Sequence, residues 1–247
     1  MRCMTYTGSI LRRNEREATV KMFEELRKKA YEANIALYRS GLVSFDSENV
    51  SVIDNERAHI ALKPANISFE ELTEQDMLVY DIDGNIILGT DNPLPDAITQ
   101  LELYRCFESI NSIVHTYSLY ATSFAQAGRS IKPYGASHAI LFPVAVPCTR
   151  KMTHTEVTQD FEKSLASIII STIESLGADK LRAVLVHSQS VFAWGNDPME
   201  AVRTAVALER IAQMAFNTEL LQVTIGQNGG VPMPQDLIAR LRDRANN

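Results

Sequence analysis

Residues 112–129, SIVHTYSLYATSFAQAGR, read as a short buried strand, SIVHT, that breaks at a polar turn and enters a helix with one apolar face. A histidine at a strand end, at the mouth of a pocket, is a common metal ligand. In extended chain, side chains two residues apart share a face, so a second ligand beside His115 belongs at position 117. Tyrosine stands there.

Outward from this stretch the chain alternates hairpins with helices. Residues 15–40 carry Phe23, Leu26, Ala30, Ala33 and Leu37 at helical spacing, with Gly41 as a stop. VSVIDNERAHIALKP gives two strands around a polar turn, and MLVYDIDGNIILG (77–89) is a hairpin with Asp-Gly at its turn. A helix over 96–110 turns Leu101, Tyr104, Phe107 and Ile110 inward. Further strands are predicted at 112–116, 139–146, 182–187 and 190–194, and longer helices at 155–176 and 197–216. VTIGQNGGVPMPQ reads as a linker before a short charged helix, QDLIARLRDR. The mixture predicts an α/β fold with a largely antiparallel sheet covered by helices. Residues 1–222 form one domain on this reading, and 223–247 form a linker and terminal helix.

Composition narrows the function classes. The chain has 247 residues, 45% apolar and 22% charged, with a net charge of −6. That length suits one large α/β domain. The charge and the absence of a Lys/Arg cluster argue against nucleic acid and anionic membrane surfaces. Three widely spaced cysteines, Cys3, Cys106 and Cys148, form no Cys-x-x-Cys pair and point to a reducing compartment. No apolar run approaches the ~20 residues that span a bilayer, and the N-terminus lacks a signal-peptide segment, so a cytoplasmic location is expected.

Several segments in fixed order, GLVSFDSENVS, IALKPANISFEEL, DMLVYDIDGNII, DAITQLELYR, SIVHTYSLYATSFAQAG, VPCTRKMT and VLVHSQSVFAWG, resemble the class II aldolase/adducin family, most closely its L-ribulose-5-phosphate 4-epimerase branch. The similarity spans roughly residues 15–217. The resemblance implies an α/β/α sandwich, a four-fold ring with sites between subunits, and a zinc ion that stabilises an enediolate as a Lewis acid.

Residue by residue, the resemblance also implies a depleted site. The family's His-Thr-His is His115-Thr116-Tyr117 here, and its His-Ser-His-Gly is His187-Ser188-Gln189-Ser190. Tyr117 and Gln189 replace two of three zinc ligands, and a phenol and a carboxamide are poor zinc donors. No cofactor is therefore expected, zinc being that of the active relatives. At the phosphate pocket Gly-Asn-x-Ser becomes Glu48-Asn49-Val50-Ser51, and Lys-Pro-Ser-Gly becomes Lys63-Pro64-Ala65-Asn66. Pro-Ser-Ser-Asp becomes Pro93-Leu94-Pro95-Asp96. Asn49 and Lys63 remain as phosphate-binding remnants, and Asp96 as the only retained acid–base candidate. Ile140 stands where the epimerase keeps an aspartate. The epimerase's tyrosine-bearing C-terminal segment has no counterpart.

The leading expectation is a non-catalytic family member, a structural or regulatory subunit, forming a homotetramer or a mixed ring with a paralogue. The alternative is a sugar-phosphate epimerase or aldolase with a remodelled metal site or altered substrate, for which a sugar-phosphate-like ligand is the expected partner. His115, His138, His187 and Asp96 have the right chemistry for such a rebuilt site. For each candidate a plainer role stands alongside. His115 serves as a structural histidine, Met152 and Trp194 as core, and Glu48 as a solvated charge or the partner of a basic side chain. The tail bearing Arg240, Arg242, Asp243 and Arg244 reads as a docking helix or, more plainly, as a solvated terminal helix.

Overall fold

The computed structural model describes residues 19–89, 94–177, 181–224 and 231–245. The start of the first predicted helix (15–18), Cys3, Pro93 and the linker stretch 225–230 lie outside the described residues. The first half of the chain runs α1 (Glu24–Arg39), β1 (Asn49–Ile53), β2 (His59–Leu62), a 3-10 turn (Glu74–Asp76), β3 (Leu78–Asp81), β4 (Ile86–Leu88) and α2 (Ala97–Cys106). After it come β5 (Ser112–Thr116), α3 (Leu119–Gln126), α4 (Ala136–Leu141), α5 (His154–Thr158) and α6 (Phe161–Leu176). The chain then continues through β6 (Ala183–Leu185), β7 (Val191–Gly195), α7 (Pro198–Thr224) and α8 (Gln235–Ala245).

The seven strands form one sheet in the order β4-β3-β2-β1-β5-β7-β6, with neighbours antiparallel throughout. Alternation along each strand feeds two cores. Ile113 and Trp194 join α2 and α6 on one face, through Leu101, Tyr104, Leu165 and Ile169. Val114 and Ala193 join α1, α3 and α7 on the other, through Leu37, Phe124, Leu208 and Ile211. The result is the α/β/α sandwich that the sequence predicts. Among the described residues no helix is long and apolar enough to cross a membrane.

Two polar devices fix the frame. The Asn34 side chain donates to the Val50 carbonyl (2.8 Å) and accepts from the Val50 N–H (2.9 Å), pinning α1 to β1. Arg57, in the β1–β2 turn with φ 55°, sends its guanidinium to the carbonyls of Tyr104, Phe107, Glu108 and Ile110. These carbonyls lie in or just beyond the last turn of α2, where a cation meets the negative end of the helix dipole.

Four elements depart from the sequence reading. The predicted strand 139–146 begins as α4: His138 and Ala139 face inward, while Ile140 and Leu141 are 45% and 46% exposed. Phe142 turns extended before Pro143, which disfavours helix in the residue preceding it, and Val146 makes only an isolated bridge to Ile131. The helix 155–176 is split into α5 and α6, with Thr153 and Glu156 forming a capping box at the start of α5. Helix 197–216 runs on to Thr224. The charged tail docks through its apolar side: α8 packs on α4, Ile238 is buried, and the Met233 N–H donates to the Pro133 carbonyl (2.8 Å), while Arg240, Arg242, Asp243 and Arg244 stay exposed. Trp194 is core as expected, with Nε1 donating to the Leu181 carbonyl (3.0 Å), and Met152 packs against the same cluster.

Candidate functional site

Strand register builds the site. Asn49 on β1 and Phe192 on β7 lie directly opposite His115 on β5, so the three side chains share one face of the sheet. The imidazole stacks on Phe192, with ring centroids 4.6 Å apart, and meets Tyr117 edge-on at 5.1 Å. Asp96 arrives at the start of α2. Its carboxylate leaves the helix uncapped and accepts from Asn49 Nδ2 (2.9 Å) and Gln100 Nε2 (2.7 Å). His115 Nδ1 lies 2.9 Å from Asp96 Oδ2.

Burial is the largest influence on Asp96 and raises its pKa. His115 and the donors Asn49 and Gln100 together outweigh it, and the carboxyl is held below its ordinary 3.8. Glu162, near the start of α6, shifts the other way. Burial and the negative charge of Asp96 raise it above 4.5, against the hydrogen bond from Thr99 Oγ1 (3.1 Å). Burial, followed by Asp96, Glu48 and Glu162, raises the Tyr117 phenol. The Tyr80 hydroxyl, buried without a hydrogen-bond partner among the described residues, is pushed up to about 12 by burial and Asp96.

The other candidate residues have different neighbours. Lys63 is fully buried, its ammonium donating to the carbonyls of Asp46 (2.8 Å) and Pro64 (3.2 Å) and lying 4.9 Å from the Phe69 ring centre. Burial lowers its pKa, opposed by Asp46. His187 lies against Gly128: a Cβ added there would fall 2.6 Å from its Nε2. Its Nδ1 meets Ser188 Oγ at 2.7 Å. Gln189 sits in the same β6–β7 turn, its N–H donating to the Val186 carbonyl (2.9 Å). His138, buried on α4, places Nε2 3.0 Å from the Val144 carbonyl, and burial lowers its pKa.

Among the described residues no group of three or more His, Cys, Asp or Glu side chains is arranged to hold a metal ion. The three residues that the resemblance aligns with zinc ligands, His115, Tyr117 and Gln189, offer an imidazole, a phenol and a carboxamide, a set that does not fit zinc. Glu48 is not solvated, and among the described residues it pairs with no basic side chain. It is fully buried and accepts three main-chain N–H groups, those of Ser44, Phe45 (2.9 Å) and Tyr117 (2.6 Å).

Sequence reasoning missed Gln100, Glu162 and Phe192. The first was findable, because Gln100 is one helical turn beyond Asp96 in a predicted helix. Glu162 comes from the packing of α2 on α6, and Phe192 from the β5–β7 register, neither of which local sequence encodes.

Residues 28–216 match the Class II Aldolase and Adducin N-terminal domain. An L-fuculose 1-phosphate aldolase superposes with a TM-score of 0.72 at 21% identity, covering 90% of this chain and 97% of that one. YgbL from Escherichia coli gives 0.68 at 19% identity, with 90% and 99% covered. The L-fuculose 1-phosphate aldolase from Glaciozyma antarctica PI12 gives 0.69 at 15% identity, with 92% and 83% covered.

Proposed function

The chain belongs to the class II aldolase and adducin family, and within it we propose a non-catalytic member that serves as a structural or regulatory subunit. One observation carries this reading. His115, the only imidazole at its strand end, is clamped between Asp96, Phe192 and Tyr117, and no second imidazole joins it. A Lewis acid, a proton-transfer group and a phosphate pocket each supply ~10²-fold or more in such chemistry, and the replacements here touch all three. The buried lysine supports the same reading, since its ammonium is engaged by carbonyls.

A homotetramer or mixed ring with a paralogue is part of this proposal. Its support is the apolar surface left on the last turns of α7, where Phe216, Leu220, Leu221 and Val223 are exposed.

The deciding assay supplies L-ribulose 5-phosphate or L-fuculose 1-phosphate to the purified chain with added zinc. No turnover above buffer is expected. Turnover that copurifies with the chain and disappears in Asp96→Ala would overturn the reading.

A second reading, an enzyme with an altered site, is favoured by one feature: Asp96 and Glu162, which both feel the charge of His115, have their pKa values pushed apart, down and up. That is the pattern of a base beside an acid. Turnover of either sugar phosphate in the same assay would favour this second reading.

A further inference from the structure

We propose that residues 44–48, together with the Tyr117 N–H, form a main-chain anion cradle that the protein's own Glu48 carboxylate occupies, shutting out external oxyanions such as phosphate. The inference rests on the non-catalytic reading, because a chain closed to phosphate holds no sugar-phosphate substrate.

Three N–H groups from two separate segments converge on one carboxylate. Oε2 accepts from the consecutive amides of Ser44 and Phe45, and Oε1 from Tyr117 at the end of β5. Consecutive amides that point into a turn carry positive potential and bind anions whatever molecule brings them. Glu48 is fully buried and forms no ion pair among the described residues, so its charge is balanced by main-chain dipoles. The loop closes on itself through the Glu48 N–H to the Phe45 carbonyl (3.1 Å). Lys63 braces it from the Asp46 carbonyl (2.8 Å), which brings a buried cation to the same loop.

The alternative is that Glu48 merely ties the loop to β5, with no capacity of the amides to hold a free anion. Removing the side chain separates the two. If the cradle is real, Glu48→Ala leaves three inward N–H groups and room for an oxyanion. If Glu48 is only a tie, the loop collapses or opens and nothing binds.

The experiment uses the whole chain and Glu48→Ala, titrated with inorganic phosphate against chloride at equal ionic strength and followed by melting temperature and amide chemical shifts. The variant is expected to bind phosphate about tenfold or more tightly than the native chain, with the Ser44, Phe45 and Tyr117 amides shifting. The native chain should not respond. If the variant is unfolded in chloride, phosphate must restore its fold. Equal phosphate response in both proteins overturns the proposal. So does a variant that ignores phosphate, whether folded or unfolded. The titration contains no sugar and no metal, so failure of the non-catalytic reading, seen as turnover, is read separately.

Discussion

Asp96 stands where a helix begins, a strand ends and two carboxamides meet, and each neighbour holds its charge in place. Asp96→Ala leaves His115 without its carboxylate and Gln100 short of an acceptor, and should cost ~3 kcal/mol in urea denaturation. Asp96→Asn keeps the shape and should cost less. The pH dependence has a definite sign. Asp96 titrates below 3.8 when folded, so its contribution is complete above 3.8 and is lost as pH falls through the lower folded value. Glu162, raised above 4.5, contributes stability below 4.5 that is lost as pH rises through its folded value. Glu162→Gln should therefore be more stable than the native chain at neutral pH, and an unchanged or lower urea midpoint would contradict the assigned environment. At this scale the shared face of His115 and Tyr117 was legible from the two-residue period of a strand. Glu48 was misread because a lone glutamate normally seeks water. Nothing local indicates that the preceding loop will fold its amides around it.

Elements were legible wherever one pattern ruled. The Asp-Gly hairpin and strand 112–116 follow from alternation and turn chemistry. Strand 139–146 failed because Ile140 and Leu141 look like core residues yet face outward, while the inward positions, His138 and Ala139, carry little apolar signal. The positive-φ arginine was also invisible beforehand, since its function depends on a helix end more than forty residues away in sequence. Arg57→Ala is expected to lower stability by about 2 kcal/mol through loss of the α2 C-terminal cap. Arg57→Lys should recover little of that, because an ammonium cannot span several carbonyls as a planar fork does. Full recovery by lysine in thermal denaturation would mean that charge alone holds the helix end.

At the scale of the molecule, sheet order and the two helical layers were predictable in class and not in detail. Strand neighbours such as β1 and β5 are separated by more than fifty residues and meet only through the common core. The proposed assembly has a direct check: light scattering should give a multiple of 27.5 kDa, and a clean monomer with no paralogue on pull-down would remove its support. The positions that the resemblance aligns with the family's metal ligands also allow a gain-of-binding test. His115 is already braced by a carboxylate, as metal-ligating histidines commonly are. Tyr117→His with Gln189→His should therefore acquire zinc affinity in calorimetry, and no heat of binding would mean that the strand end and the β6–β7 turn do not converge. The proposal that this chain holds no catalytic metal is tested most directly by elemental analysis of the unmodified chain purified without chelator. Transition-metal content far below one ion per chain is the expected result, and stoichiometric zinc or manganese would contradict it.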